Sequence, residues 1–446
     1  MKLSLRIAIS NNNVDERIYI FDRIFNDILG LSYDLEIINS LTNNIITFSN
    51  KTIILKDQFW NKNIEPLSYL HSSNLPHVSY VKNEFIVEDD IPVLYGNGDI
   101  IIEVDKIICG IDIFASSFFM LTRWEEYVVH ERDNHNRFPG NSSIAFNNNF
   151  LHRPLVNEYV EMLWKMMIKL GYDGKRKDRK FELTLTHDID ILYFKKSIKT
   201  LVGDIIKRKD FLQFRNHFRY MFISNPVDRF DFLMSISEQL GIKSHFYFMS
   251  SDGNLEFDSN NYLNSNIFKS KIGDIKKRGH IIGFHPGYHT YDNIQRWKSE
   301  KYALEKAANQ EILEGRQHYL RMDVTQTLSI WNENNMKIDS TLGYADKEGF
   351  RCGTGDIIPI FDFLNRKTLK LNERPLIIMD GTLHQYQNYT KTQASEILKY
   401  YLKIGEKYKT GITILFHNSS FYGEWQGYAS IYEELLIMKD ITTSTV

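Results

Sequence analysis

Ionisable side chains follow three β-rich segments in the second half of this 446-residue chain. The segment FELTLT is followed closely by Asp188 and Asp190. The segment HIIGF is followed by His285, with His289 four residues further on, and ITILF is followed by His417. Enzymes built on parallel strands carry their chemistry at the carboxyl ends of those strands. We therefore expect these groups to lie together at one edge of a sheet.

Two histidines and one carboxylate from another strand form an open three-ligand set for a divalent metal. Zinc is the usual occupant of such sites, and cobalt, nickel and iron are also accepted. A metal-bound water would have its pKa lowered toward ~7, and a second carboxylate could take its proton. Either Asp188 or Asp190 can serve as the ligand while the other faces the substrate. The competing interpretations are a surface histidine pair and an acidic turn or helix cap.

The elements that must position these groups are strands that alternate with helices. Helical spacing between the β-rich segments, as in 227–242 and 297–315, predicts a parallel sheet across 181–446. A closed (β/α) barrel matches this size. An open doubly wound sheet remains an alternative, although no glycine-rich phosphate loop follows the first strand.

The first half of the chain has few groups with evident chemistry. Alternating patterns predict short strands in 36–58 and 99–113, and helical spacing predicts helices in 114–128 and 155–172. The polar stretch 173–180 is the best linker candidate. The predicted organisation is therefore an accessory α+β domain over 1–175 and a catalytic domain over 181–446.

Composition excludes several classes of protein. With Lys+Arg 54 and Asp+Glu 56, the net charge of −2 argues against nucleic acid as the main partner. The two cysteines cannot form a disulfide framework. No signal-peptide pattern or apolar span of ~20 residues is evident, so a cytoplasmic location without transmembrane segments is expected. A basic stretch from Lys195 to Lys209 could make peripheral contact with a membrane, or could be a solvated helix face.

The second half resembles the polysaccharide deacetylases of carbohydrate esterase family four. The segment Thr186-His187-Asp188-Ile189-Asp190 is similar to the family's first motif, and His285-x-x-x-His289 to its second. The resemblance implies a distorted (β/α)7 barrel that removes acetyl groups from N-acetylated sugars. It also implies that Asp188 is the catalytic base and that Asp190, His285 and His289 bind the metal, most often zinc.

Further motifs of the family match later segments. Arg316-x-x-Tyr319 is similar to the third motif, with His318 where proline is usual, and Leu415-x-His417 is similar to the fifth. The resemblance implies that Arg316 holds the base, that the Tyr319 backbone N–H stabilises the oxyanion, and that His417 is the general acid. For the carboxylate that supports His417, Asp339 is preferred and Asp346 is the alternative.

Three other residues are expected to bind substrate. Tyr288 and Trp425 can stack on a sugar ring because loops carry them, and His384 follows a β-rich segment at the end where the site is expected. The segments FASSFFMLTRWEEY and RPLVNEYVEMLW resemble the amino-terminal domain of a bacterial subgroup of these proteins. Its role is not implied by the resemblance.

The sequence thus predicts a metal-dependent carbohydrate N-deacetylase that acts on an N-acetylated sugar or oligosaccharide precursor in surface-polysaccharide or envelope synthesis. Two alternatives stay open. One is another amidohydrolase on the same barrel, acting on a ureide, formamide or cyclic imide. The other is a non-catalytic carbohydrate-binding protein that keeps the fold.

Overall fold

The computed structural model describes residues 5–193, 225–251, 256–258 and 261–443, together with the single residues 205, 206, 214 and 218. The basic stretch from Lys195 to Lys209, for which membrane contact was considered, lies outside these residues except at 205 and 206. Among the helices described, none has the length and apolar character that a membrane crossing requires.

The chain forms two compact units. Unit 1 comprises residues 1–182, 322–377 and 401–412, and unit 2 comprises 183–321, 378–400 and 413–446. Unit 1 therefore takes in two later segments that the sequence analysis assigned to the catalytic domain. The predicted catalytic and metal-binding residues lie in unit 2, except Asp339.

The first part of unit 1 is built around a six-stranded sheet in the order β2-β1-β3-β4-β8-β7. Its central strands alternate buried and partly exposed residues because only one face of each strand meets the core. The strands of 5–182 are β1 (Leu5–Ser10), β2 (Tyr33–Ile38), β3 (Asn43–Phe48), β4 (Lys51–Lys56), β5 (Ser79–Val81), β6 (Ile91–Val93), β7 (Gly96–Ile102) and β8 (Lys106–Ile111).

The helices of this region bury apolar residues. They are α1 (Val14–Phe21), which continues as a π-helix over Asp22–Leu29, α2 (Gln58–Lys62), α3 (Ile113–Thr122), α4 (Glu125–Val128), α5 (Ile144–Asn147) and α6 (Leu155–Lys169). Every residue of α3 is buried, and its first turn is capped by Asp112, whose carboxylate accepts from the Ala115 N–H. The stretch 173–180, the predicted linker, has no regular structure and belongs to unit 1.

Unit 2 begins with strands that alternate with helices. In chain order these are β9 (Glu182–Ile189), α7 (Phe230–Leu240), β10 (Ser244–Met249), α8 (Asn266–Lys277), β11 (Ile281–His285), α9 (Ile294–Ala308) and β12 (Glu314–Gly315). The strands β9, β10, β11 and β12 are neighbours and pair in parallel. Their carboxyl ends therefore meet along one edge.

The segment 322–377 adds a helix and three strands to unit 1: α10 (Gln326–Glu333), β13 (Ile338–Asp339), β14 (Ile358–Asp362) and β15 (Lys367–Glu373). β14 and β15 form an antiparallel pair, and β13 runs parallel to β15. The last part of the chain contains β16 (Leu376–Met379), α11 (Lys391–Tyr408), β17 (Gly411–Leu415) and α12 (Tyr428–Thr443).

The strands that carry the predicted site follow the order β12-β11-β10-β9-β17-β16. They belong to a curled sheet with the form of a half-barrel. The predicted mixed α/β architecture is thus confirmed. The closed seven-stranded barrel stays an expectation from the resemblance.

Candidate active site

Five strands that end in unit 2 deliver polar side chains at their carboxyl ends. β9 supplies Asp188 and is followed by Asp190, and β11 ends at His285. β12 pairs with β11 through Phe284 and Gly315, so the residues after β12 emerge beside His285. β16 and β17 are followed by Asp380 and His417. Parallel pairing therefore brings side chains from segments that are distant in the sequence into one cluster.

One group of side chains can hold a metal ion. It consists of Asp190, His285 and His318, the last of which follows β12. Their donor atoms all lie within 4.8 Å of one another. His285 Nε2 is 3.2 Å and His318 Nε2 is 3.8 Å from Asp190 Oδ1. Donors about 2.1 Å from a tetrahedral metal are separated by roughly 3.4 Å, so the observed spacings bracket that value.

The hydrogen bonds of the two histidines also suit a cation. His285 Nδ1 is 2.6 Å from the Arg316 carbonyl oxygen, and His318 Nδ1 is 2.9 Å from Asp258 Oδ1. Since both partners are acceptors, each Nδ1 must carry a proton, and each neutral ring then presents an Nε2 lone pair. These lone pairs converge with the Asp190 carboxylate, which is the donor set that zinc and similar divalent metals prefer.

Asp190 is also held in its ionised form by its surroundings. Burial alone would raise the pKa of this carboxyl, but the nearby imidazoles of His318, His417 and His285 lower it below the ordinary value. An ionised carboxylate is the form that a metal requires.

His289, the third predicted ligand, is exposed and is not part of the group. The four-residue spacing from His285 would put both rings on one face of a helix, but residues 286–290 form a turn. His318 takes the position expected for His289. Its short 3₁₀ segment, His318–Leu320, is tied to the neighbouring loop because the His318 N–H donates to the Pro286 carbonyl.

Asp188, the predicted base, lies beside the group and is fixed by an arginine. Arg316 Nη1 donates to Asp188 Oδ1 at 2.9 Å and to the Thr186 hydroxyl at 2.9 Å. Asp188 Oδ2 is 3.8 Å from His285 Nε2. The Arg316 side chain is fully buried, so it acts as an oriented and permanently charged partner.

His417, the predicted acid, lies on the other side of Asp190. Its Nε2 is 3.8 Å from Asp190 Oδ2, and its Nδ1 is 2.8 Å from Asp380 Oδ1. The His417 backbone N–H also donates to Asp380 Oδ2 at 2.7 Å. Burial alone would lower the pKa of His417, but the carboxylates of Asp380, Asp190 and Asp188 together raise it to about 10.

The partner predicted for His417 was Asp339, with Asp346 as the alternative, and the structure places both elsewhere. Asp339 is buried in unit 1, where it accepts a hydrogen bond from the Thr341 hydroxyl at 2.5 Å. Asp346 accepts from the Gly140 N–H in the same unit. Asp380 provides the carboxylate instead, because β16 ends next to β17 and brings it against His417.

Tyr319 has an unusual backbone for a non-glycine residue. Its φ of 59° and ψ of 11° lie in the left-handed region, which costs on the order of 1–3 kcal/mol for such a residue. Strain of this kind is often retained where it orients a functional group. This conformation turns the chain directly after the metal-ligand candidate His318.

The three predicted substrate-binding residues differ in accessibility. The Tyr288 ring is 5% exposed: Phe257 stacks on it at 4.1 Å, and the Arg321 guanidinium lies 3.8 Å from its centroid. With these contacts it is poorly placed to stack on a sugar. His384 and Trp425 are half-buried and lie 4.4 Å apart between ring centroids, so they form an aromatic surface near Asp380.

Sequence reasoning did not assign three residues that the geometry brings into the site: His318, Asp380 and Asp258. A signal existed for His318, which occupies the position of a usual proline in the third motif. A signal also existed for Asp380, which directly follows the β-rich segment PLIIM. Asp258 lies in a loop after β10, and no spacing connects it to the other groups.

Comparisons with known proteins give partial matches. Residues 5–172 match the model of a family of unknown function, DUF7033, and no curated protein matches the chain. Similar solved structures include a candidate polysaccharide deacetylase from Mycobacterium smegmatis, with 15% identity, a TM-score of 0.37, and coverage of 60% of this chain and 90% of that one.

Two further structures show the same kind of likeness. A polysaccharide deacetylase from Bacillus cereus has 12% identity and a TM-score of 0.30, covering 59% of this chain and 88% of its own. A chitin deacetylase from the fungus Colletotrichum lindemuthianum has 13% identity and a TM-score of 0.24, covering 53% and 86%. At these identities and TM-scores the likeness assigns no role to any residue.

Proposed function

We propose that this protein is a metal-dependent hydrolase that removes acetyl groups from N-acetylated sugars. One observation carries the proposal: a three-donor metal group lies between a carboxylate held by an arginine and an imidazole held by a second carboxylate. Hydrolysis of an acetamide needs a base for the attacking water, an electrophilic centre at the carbonyl, and an acid for the leaving amine. The site contains a candidate for each role.

Asp190, His285 and His318 would hold the metal, which we propose to be zinc. A bound divalent metal supplies Lewis acidity at the acetyl carbonyl and lowers the pKa of water. Asp188 is the proposed base. The buried Arg316 guanidinium holds one of its oxygens, and the other is directed toward the metal group, where it can accept a proton from water.

His417 is the proposed acid. Because Asp380 accepts from Nδ1, a protonated His417 keeps an N–H at Nε2, the nitrogen that faces the metal group. That proton can pass to the sugar nitrogen as the carbon–nitrogen bond breaks, which allows the amine to leave without forming an unstable anion. The Tyr319 backbone N–H is the proposed additional donor to the developing oxyanion.

The substrate proposed is an N-acetylated sugar in a precursor of surface polysaccharide or cell envelope. The half-buried pair His384 and Trp425 supports a sugar over a smaller ureide or imide, since such a surface can cover a ring face. The Trp425 ring also packs against Tyr428, so this surface includes a third aromatic ring.

The test is acetate release by metal-loaded wild type and by Asp188→Asn, with N-acetylglucosamine oligomers and a nucleotide-linked N-acetyl sugar as substrates. We expect wild-type turnover and a loss of kcat of about 10²–10⁴-fold in the variant. The variant should still bind metal and sugar, because Asp188 is not a ligand. Absence of turnover by wild type across this panel, or full turnover by Asp188→Asn, would refute the proposal. Loss of sugar binding in Asp188→Asn would instead favour a binding protein.

A further inference from the structure

Asp258 is a buried carboxylate next to the metal group for which the proposed reaction gives no role. It lies in the loop between β10 and α8, and its side chain is inaccessible to solvent. Its Oδ1 is 2.9 Å from His318 Nδ1. Taking an ionised carboxylate out of water is costly unless it is paired and hydrogen-bonded, so this arrangement requires compensating contacts.

Those contacts join two loops of the site. Asp258 Oδ1 also accepts from the Tyr288 N–H at 2.8 Å, three residues beyond His285. The loop after His285 can approach the Asp258 carboxylate closely because Gly287 has no side chain. A Cβ at this position would lie 2.7 Å from Asp258 Oδ2. One carboxylate oxygen therefore contacts both the loop after His285 and the ring of His318.

This contact decides which nitrogen of His318 faces the metal group. A carboxylate oxygen can only accept, so Nδ1 must carry the proton and Nε2 must present its lone pair toward Asp190. His285 obtains the same tautomer from a neutral acceptor, the Arg316 carbonyl. A charged acceptor on His318 additionally makes its ring a stronger electron donor.

We propose that Asp258 is a positioning residue that orients His318 and raises its affinity for a divalent metal. The inference rests on the metal centre of the proposed function, but it does not depend on the substrate. Partners of this kind typically contribute 10–100-fold to metal affinity.

The experiment measures Zn²⁺ and Co²⁺ affinity by chelator competition for the full-length wild type, Asp258→Ala and Asp258→Asn. Alanine removes the acceptor, and we expect about 10–100-fold weaker binding together with an altered visible spectrum of bound Co²⁺. Asparagine can keep a neutral acceptor at Oδ1, so its loss should be smaller. If Asp258 had only a structural role, the Co²⁺ spectrum would not change more in Asp258→Ala than in Asp258→Asn.

Glu300→Gln is the matched control. Glu300 is another largely buried carboxylate; it lies on α9 and accepts from the Gly287 N–H of the same loop at 2.7 Å without contacting a ligand candidate. We expect its metal affinity to equal that of wild type. Unchanged affinity and spectrum in folded Asp258→Ala, an equal loss in Glu300→Gln, or a wild type that binds neither metal would overturn the inference. Weaker binding in Asp258→Ala with no deacetylation by wild type would uphold the inference and refute only the proposed function.

Discussion

The sharpest prediction concerns which histidine completes the metal group. The sequence pattern indicates His289, whereas the structure places His318 there. We expect His318→Ala to lose metal and His289→Ala to retain it. His318 Nε2 lies 3.8 Å from Asp190 Oδ1 and its ring is 5% exposed, whereas His289 is exposed. The two substitutions remove the same side chain from loops at the same edge of the sheet, so each serves as a control for the other.

The magnitude follows from the number of donors. Four-ligand zinc sites have apparent binding free energies of about 10–16 kcal/mol, or roughly 2.5–4 kcal/mol for each ligand. At about 1.4 kcal/mol for each factor of ten, removing His318 should weaken zinc binding roughly 10²–10³-fold. Removing His289 should leave the dissociation constant unchanged.

The assay combines elemental analysis of purified protein with chelator competition for Zn²⁺. His318→Ala also leaves the buried Asp258 carboxylate without its imidazole partner, which can cost about 1–3 kcal/mol of stability. His318→Gln is therefore measured beside it, since a glutamine amide can still donate to Asp258 but cannot replace the imidazole as a zinc ligand. Thermal unfolding of the metal-free proteins shows whether each variant is folded.

Metal lost in His289→Ala and retained in folded His318→Ala and His318→Gln would refute the argument from hydrogen bonding and donor spacing. It would show that the loop after β11 rearranges to bring His289 inward when metal binds. Loss in both single variants would indicate a site with an additional histidine.

Three further predictions test other parts of the molecule. Asp380→Asn should lower kcat by about 10²–10⁴-fold by removing the charge that supports the proposed acid, whereas Asp339→Asn should retain kcat per folded molecule in the acetate-release assay. Burial lowers the pKa of His187 to about 3, so the native state stays neutral while the unfolded chain takes up a proton below about pH 6.5. Wild type should thus lose about 2 kcal/mol more stability than His187→Asn between pH 7.5 and 5 in urea unfolding, and parallel curves would contradict this. Arg351→Ala should destabilise the protein by about 1–3 kcal/mol in the same measurement, because the buried Glu126 carboxylate loses the arginine 2.9 Å away and keeps only Arg123; an unchanged stability would contradict this.

The composition of the site was largely predictable from the sequence. β-rich segments ending at Asp188, His285 and His417 identified the strands, because apolar runs of this length with polar ends are typical of buried parallel strands. The structure has strands at 182–189, 281–285 and 411–415, close to the expected bounds. Parallel pairing of such strands requires their ends to meet at one edge.

The contacts inside the site were not predictable. Side chains in a long helix or a strand point in directions set by a regular period. His289 lies in a turn and His318 begins a single 3₁₀ turn, where spacing along the chain does not fix direction. The preference for Asp339, with Asp346 as the alternative, had the same limitation, since strand order in the sheet and not distance along the chain decides which carboxylate meets His417.

The sequence by itself thus determined which residue types were available and at which strand ends they would emerge. Local hydrophobic patterning is enough for that, because burial of apolar side chains is the dominant favourable term in folding. The tertiary structure alone decided that His318 faces Asp190, that Asp380 supports His417, and that Asp258 fixes an imidazole tautomer. Those choices depend on hydrogen-bond geometry of a few tenths of an ångström between segments as distant in the chain as residues 190 and 318, which no linear pattern encodes.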